Sequence, residues 1–330
     1  MNIKKIGMTA LAASLVSTSV FAGELTASGS ADITVGNYTG QQINSGKSFT
    51  MGDSVVLTGT TELDNGMTVS MSFELDGGAD VTSGSYDDHS VTISSDALGT
   101  FKFSGNGGSS AVSALDATAA GDIWDSFDKQ VVETSAIPET SSVAGNAAML
   151  TSPGGNNTMI YTLPSMVDGL SVSASYTPQA TAGTESSSAF GATYTGIEGL
   201  SVSYGAGTDD GGVTAFKADV TTMKASYAYG PITVAYSDHE YDSVTATRDQ
   251  DTTSYSVAYT VSEAFSISYG TEEIDSGEQA VDAEYSKISA SYTAGGMTVT
   301  AVSSEAENIS YTTAAREDQD YWGLTLGFAF

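Results

Sequence analysis

Leu170-Ser171-Val172-Ser173-Ala174-Ser175-Tyr176 decides how the rest of the chain is read. Every even position is apolar or aromatic, and every odd position is serine. Successive side chains of a strand point to opposite faces, so this segment has one apolar face and one hydroxyl face. The device recurs at Leu200-Ser-Val202-Ser-Tyr204, Ile232-Thr-Val234-Ala-Tyr236, Phe265-Ser-Ile267-Ser-Tyr269 and Met297-Thr-Val299-Thr-Ala301. Earlier it appears as Met67-Thr-Val69-Ser-Met71-Ser-Phe73. No long stretch carries helical periodicity.

The segments starting at Leu170, Leu200, Ile232, Phe265 and Met297 lie 30 to 33 residues apart. Each period holds two strands, with a tight turn on one side and a longer polar loop on the other. The tight turns precede the strands just named: Asp64-Asn65-Gly66, Val167-Asp168-Gly169, Ile197-Glu198-Gly199, Gly230-Pro231, Ser262-Glu263-Ala264 and Ala294-Gly295-Gly296. Asn-Gly and Asp-Gly supply the positive φ that short hairpins need. The other side carries Asp/Gly/Ser/Thr-rich loops at Gly205 to Gly212, Ser237 to Gln250, Thr271 to Asp282 and Ser303 to Gln319.

Sixteen strands are predicted, beginning near Leu25, Val55, Met67, His89, Thr100, Thr158, Leu170, Ser188, Leu200, Thr221, Ile232, Thr252, Phe265, Lys287, Met297 and Tyr321. Each is about 8 to 11 residues, the length that lets a tilted strand cross a membrane. The count is even and both termini fall on the short-turn side, as a single-chain outer-membrane barrel requires.

A soluble β-sandwich also alternates. Three features favour a barrel in lipid. Tyr176, Tyr204, Tyr236 and Tyr269 mark the long-loop ends of the apolar face, with Phe328 and Phe330 at the terminus; such rings prefer the level where acyl chains meet headgroups. The opposite face is almost wholly Ser, Thr and Gly, which suits a wet lumen. Short turns and long loops segregate to opposite ends. Lipid offers no water to unpaired backbone groups, so the sheet must close. The expected fold is all-β, a 16-stranded antiparallel transmembrane β-barrel with short periplasmic turns and long extracellular loops. At sixteen strands the lumen is too wide for side chains to fill, so a channel is the default consequence.

Composition narrows the rest. Met1-Asn2-Ile3-Lys4-Lys5 is basic, Ile6 to Val16 is apolar, and Val20-Phe21-Ala22 ends the run. This reads as a secretory signal peptide over 1–22, cleaved after Ala22. Residues 23–330 then form one barrel domain, with 104–157 as a long third loop. There are 10 basic against 40 acidic residues, a formal charge of −30, and losing Lys4 and Lys5 makes the mature chain more negative still. Nucleic acid is excluded as a partner, because neutralising phosphates needs Lys and Arg. The regular alternation excludes a disordered acidic chain. There is no cysteine, which removes thiol chemistry and cysteine-based metal sites.

With these features the chain resembles the Gram-negative general porins over nearly its whole length. The resemblance rests on the leader, the start Glu24-Leu25-Thr26-Ala27-Ser28-Gly29, the first hairpin Leu63-Asp64-Asn65-Gly66-Met67, the long third loop, and the ending Tyr321-Trp322-Gly323-Leu324-Thr325-Leu326-Gly327-Phe328-Ala329-Phe330. It implies a homotrimer in the cell outer membrane, passive diffusion of small hydrophilic solutes and ions, and a third loop folded into the pore. It also implies that Trp322, Phe328 and Phe330 form the signal read by the barrel assembly machinery.

The third loop is visible without the resemblance, since Ser104 to Asn157 far exceeds the usual connection length. Its constriction candidates are Asp116, Asp122, Asp125, Asp128, Lys129 and Glu133; the competing reading is a solvated surface loop. The Ala-rich Ser110 to Asp122 suggests a short helix. Parity sends Asp32, Glu74, Lys102, Lys224 and Lys287 to the lumen, because Phe101, Phe103, Met223 and Ile288 face lipid. General porins set an arginine cluster opposite an acidic loop, whereas this wall has three scattered lysines, expected to pair locally with acids. The net field should favour cations, since a lumen lined by one sign of charge concentrates the other.

Other chemistry finds less support. The two histidines, His89 and His239, lie at loop-side strand ends, and no nucleophile–base pair is indicated, so the protein is not expected to be an enzyme. No cofactor is implied. Asp87-Asp88, Asp209-Asp210 and Asp249-Gln250-Asp251 offer oxygen ligands of the kind Ca²⁺ takes, but without the spacing of a known calcium loop. A solvated acidic rim is the simpler reading, and divalent cations there would bridge to lipopolysaccharide. Gly105-Asn106-Gly107-Gly108 lacks the lysine and helix of a phosphate loop. A substrate-specific channel remains an alternative, although Trp124 and Phe127 are the only aromatics of the third loop. A surface adhesin or structural barrel is the other, and it predicts a plugged lumen.

Overall fold

The computed structural model describes residues 23–39, 46–76, 87–127, 149–150, 156–178, 185–210, 217–245, 248–277, 279, 281–309, 311 and 318–330. The leader, Asp128, Lys129 and Glu133 lie outside these residues. Sixteen strands follow in order: β1 (Glu24–Thr39), β2 (Gly46–Glu62), β3 (Thr68–Asp76), β4 (His89–Ser95), β5 (Gly99–Asn106), β6 (Thr158–Thr162), β7 (Leu170–Thr177), β8 (Ser187–Tyr194), β9 (Leu200–Asp209), β10 (Ala218–Tyr229), β11 (Ile232–Ser243), β12 (Gln250–Ser262), β13 (Phe265–Ser276), β14 (Ala283–Ala294), β15 (Met297–Glu307) and β16 (Gln319–Ala329).

Every strand pairs antiparallel with its sequence neighbours, and β1 pairs with β16, so the sheet is a closed barrel. Closure leaves no edge, which lipid would not tolerate. The seam runs from Ser30↔Ala329 to Thr39↔Asp320. It is finished by reciprocal bonds between Gly29 and Phe330 of 2.8 and 3.0 Å. The first hairpin is built as its Asn-Gly implies. Gly66 sits at φ 77°, where a Cβ would be strained. Its N–H donates to the Leu63 carbonyl at 2.9 Å, and the Asn65 side chain accepts from the Met67 N–H at 3.1 Å.

Strand lengths depart from expectation at both extremes. β2 begins at Gly46, nine residues before the expected Val55. Gly52-Asp53 reads as a break, but pairing from Tyr38↔Gly46 to Glu24↔Thr60 with β1 carries the strand through it. Here a neighbour's ladder overrides local propensity. β6 has only five residues, whereas β10 to β16 have 11 to 13.

The extra length explains a second departure. In β11 the outward row runs Ile232, Val234, Tyr236 and then Asp238, Glu240, Asp242. In β13 it runs Ile267, Tyr269 and then Thr271, Glu273, Asp275. Past its upper tyrosine, each outward face turns from apolar to acidic. The inward face turns the other way. Ile274, Ala283, Tyr285, Ala306, Ile309 and Tyr311 are buried in one cluster, and Ala189, Ala218, Val220 and Tyr241 in another. The expectation of an inner face almost wholly of Ser, Thr and Gly therefore does not hold in the upper barrel. Apolar side chains gain by facing outward only where acyl chains are outside. Above that level water and headgroups surround the wall, and the apolar residues turn in. Exposed Tyr194, Tyr227, Tyr229, Tyr259 and Tyr292 approach the short-turn ends, giving the apolar band a second girdle.

Candidate pore constriction

The chain from Gly107 to Asn157 links β5 to β6, and its described part lies along the inner wall. Ala111 N–H donates to Ser175 Oγ of β7 at 2.8 Å. Ala119 N–H reaches Ser237 Oγ of β11 at 2.7 Å, and Ala120 N–H reaches Ser254 Oγ of β12 at 3.0 Å. Ser256 Oγ returns a bond to the Ala119 carbonyl at 2.7 Å. Tyr38 of β1 donates to the Ser126 carbonyl at 2.7 Å. All these wall residues lie on the face opposite Tyr176, Tyr204, Met223, Tyr255 and Tyr269, which are exposed outward. The hydroxyl face read from the Ser-rich alternation thus supplies the partners that loop backbone groups need once they leave water.

Glycine on the same face makes room. A Cβ built on Gly270 would stand 2.5 Å from Ala120 Cβ, and one on Gly191 would stand 2.6 Å from the Ala111 carbonyl oxygen. Neither contact is tolerable, so the loop can lie this close only over bare backbone.

Three charged wall residues grip the segment 117–124. Lys224 Nζ donates to the carbonyls of Ala117 at 2.7 Å and Thr118 at 3.3 Å. Lys287 Nζ donates to the Gly121 carbonyl at 3.1 Å. Glu272 accepts from the Thr118 hydroxyl with one oxygen and from the Trp124 N–H with the other, at 3.0 Å. The expected local pairing of these lysines with acids is corrected. Both ammoniums are held by loop carbonyls, and the ion pair found among the described residues is Lys217 with Glu185.

The expected helix over Ser110 to Asp122 is not present. Ser110 and Ser113 bond one another's backbone and hydroxyl groups, side-chain to backbone competition that favours turns. Thr118 N–H donates to Asp122 Oδ1 at 2.9 Å, and Asp122 N–H to Thr118 Oγ1 at 2.8 Å. A single 3₁₀ turn follows at Ile123–Ser126. It aims Phe127 into the wall cluster, edge-on to Tyr38 at 6.2 Å and tilted against Tyr285 at 5.9 Å. Phe127 is fully buried and Trp124 packs on the same cluster. The Phe127 ring therefore offers no stacking surface to a passing solute. The return leg is fixed by Leu150, whose N–H meets Gln250 Oε1 at 2.6 Å and whose carbonyl accepts from His239 Nε2 at 2.7 Å.

The sequence-derived candidates fall into three groups. Asp116 and Asp122 are half-buried on the inner loop, Asp125 is exposed there, and Lys224 and Lys287 are beneath it. Asp116 lies close to Asp122, and its Oδ2 is buried without a hydrogen-bond partner among the described residues. Burial and then the Asp122 charge push its carboxyl up to about 7. Asp32, Glu74 and Lys102 stand on β1, β3 and β5. Asp32 Oδ2 accepts from Thr34 at 3.3 Å, and Glu74 Oε1 from Ser54 at 2.5 Å. Trp322, Phe328 and Phe330 form the third group and are exposed on the outer face of the closing strand and its end. Glu272, Gln250 and Tyr38 were missed. Parity from Ile267 and Tyr269 would have sent Glu272 inward, but an acid in a strand end was read as loop.

A family profile described as Gram-negative porin matches residues 7–303. No curated protein matches the chain. Among solved structures, an anion-selective porin from Comamonas acidovorans is similar at 15% identity and a TM-score of 0.69, covering 93% of this chain and 100% of its own. A triple mutant of the Rhodopseudomonas blastica porin is similar at 18% identity and a TM-score of 0.62, with the same coverage. A profile matched over most of the length and a closed sixteen-stranded barrel agree, and the chain belongs to the Gram-negative porin family.

Proposed function

We propose that this porin is a cation-preferring channel for passive diffusion of small hydrophilic solutes and ions, narrowed by the third loop. The observation that carries the reading is the charge left facing the lumen. Among the described residues, carboxylates of Asp32, Glu74, Asp88, Asp116 and Asp122 stand on the inner wall and loop against Lys102, Lys224 and Lys287. Two of those lysines are engaged with loop carbonyls. A one-signed lumen concentrates the opposite ion. The Comamonas porin is anion-selective, but at 15% identity it shares a fold with this chain, which does not carry a charge pattern across. Planar-bilayer recordings in a KCl gradient test the reading. A reversal potential directed toward cations is expected. An anion-directed potential overturns the preference, and silence from a folded barrel overturns diffusion.

Assembly as a homotrimer fits one anomaly of the outer wall. Asp53 of β2 is exposed on the outward row between Met51 and Val55, opposite Ala31 of β1. A carboxylate facing acyl chains is costly, and a neighbouring copy would relieve it. The upper tyrosines and the acidic rim lie on later strands, so β1 to β3 are the face proposed for the contact. Export by cleavage after Ala22 and docking of Phe330 on the assembly machinery complete the proposal. Mass measurement of the secreted and membrane forms tests the cleavage, and Phe330→Ala tests the signal by its yield in the outer membrane.

A further inference from the structure

The wall left uncovered by the described loop carries a polar recess of its own. A cavity of about 130 Å³ is lined by Ser72 and Glu74 of β3, Ser90 of β4, Lys102 and Ser104 of β5, and Asp88 just ahead of β4. Register places Ser72 opposite Ser90 and Ser90 opposite Ser104, so three inward side chains form its floor. The Glu74 N–H donates to the Asp88 carbonyl at 2.8 Å and the Asp87 N–H to the Glu74 carbonyl at 3.0 Å, which holds the Glu74 and Asp88 carboxylates at one rim. The Asp88 carboxyl lies over bare Gly107, where a Cβ would fall on top of it. Lys102 stands at the other strand. Among the described residues it holds no loop carbonyl, unlike Lys224 and Lys287, and is in no ion pair.

We infer that this recess is a transient docking site for small zwitterions of the amino-acid type, which makes them the favoured solutes of the channel. A solute carboxylate meets the Lys102 ammonium and the serine hydroxyls, and its ammonium meets Glu74 and Asp88. Charge-assisted bonds of this kind are about twice as strong as neutral ones. A neutral polyol finds only the hydroxyls. A simple anion meets two carboxylates beside its one lysine. The volume holds roughly four waters at about 30 Å³ each, the size of a small amino acid and not of a disaccharide. Burial, Asp87 and Glu74 raise the Asp88 carboxyl, whereas Lys102 lowers it, so Asp88 senses both Glu74 and Lys102 across the recess.

The inference rests on the diffusion reading, and one experiment separates the two. Proteoliposomes carrying the full barrel are swollen in L-serine and in erythritol, solutes of similar size. Serine is expected to enter severalfold faster. Lys102→Gln and, separately, Glu74→Gln should bring the ratio of the serine rate to the erythritol rate down to about one. Equal rates in the unaltered protein, or a serine preference that survives both variants, overturns the site. If neither solute enters, the diffusion reading itself falls. Should a variant fail to insert, serine block of single-channel current in the unaltered protein, against none by erythritol, gives the same decision.

Discussion

Glu273 of β13 and Glu284 of β14 stand directly opposite each other on the outer face of the barrel. They are one rung of a longer row. Glu284 also faces Glu307 of β15, and Glu305 faces Asp320 of β16. On the other side Asp251 faces both Glu240 and Asp275, and Asp219 faces Asp242. Like charges directly opposite in a ladder are destabilising, by roughly 0.2–1 kcal/mol per pair if they mirror the gain of opposite pairs. The row lies where the wall leaves the acyl chains, so solvent ions reach it. Salt shortens the screening length from about 10 Å at 0.1 M to about 3 Å at 1 M. The detergent-solubilised protein should therefore melt at higher temperature as NaCl is raised. Glu284→Gln, which relieves two contacts, should raise the low-salt melting temperature and flatten the salt response. A melting curve indifferent to salt would show that the row carries no net repulsion.

Asp116 should make the proposed cation preference depend on pH. Its carboxyl is raised to about 7 by burial and by Asp122, so it is largely neutral below that value and charged above it. Raising pH through 7 adds a negative charge beside the path, and the KCl reversal potential should move further toward cations. Lowering pH through 7 should reverse the shift well before ordinary carboxylates titrate near 4. The sign for stability is opposite. A raised carboxyl pKa means the folded state holds a proton that the unfolded chain has lost, so its contribution falls as pH rises from about 4 to about 7. Asp116→Asn should abolish the step in selectivity near neutrality. A step that persists in Asp116→Asn assigns it to another group.

Glu272 is the strongest single anchor of the loop, since both its oxygens are occupied by loop donors. Glu272→Ala would leave the Trp124 N–H and the Thr118 hydroxyl facing a dry wall. An unmet buried polar group costs about 1–3 kcal/mol, and segment 117–124 should pay it by leaving the wall intermittently. Single-channel recordings should show increased open-state noise, with barrel melting little changed because the ladder Glu272↔Tyr285 is backbone. Recordings as quiet as those of the unaltered protein would place the burden on Lys224 and Lys287.

The sequence was legible where one physical constraint acted alone. The alternation Leu170 to Tyr176 and the turn glycines follow from lipid outside, water inside and a tight hairpin, and the strand order with its closure follows in turn. The number and order of the strands needed no tertiary information beyond this, whereas the start of β2 at Gly46 is set by its pairing with β1. It became illegible where two constraints met. Above Tyr236 and Tyr269 the outward face becomes acidic and the inward face apolar, and a reader tracking apolar parity sees only a loop. Glu272, Ile274, Tyr241 and Tyr285 were lost for that reason. The path of the loop was also hidden. Ser175, Ser237 and Ser254 look like any lumen serine, and only the fold reveals that each meets a backbone N–H of the third loop.

Gly270 tests that path from the opposite direction to Glu272. A Cβ there would lie 2.5 Å from Ala120 Cβ and 3.2 Å from Ala120 Cα, and valine would add two methyl groups pointing the same way. The ladder does not need the glycine. Gly270 pairs with Ser256 on one side and Lys287 on the other through backbone, and valine is favoured in strands. Gly270→Val should therefore close the barrel normally and push the loop off the wall toward the axis. Conductance should fall without added noise, because the loop stays tethered through Glu272 and Ser237. The same substitution at Gly59, where nothing lies within 4 Å, should leave conductance unchanged. Equal conductance in both variants would mean that segment 117–124 does not border the conducting path, and the charges assigned to it would no longer set selectivity.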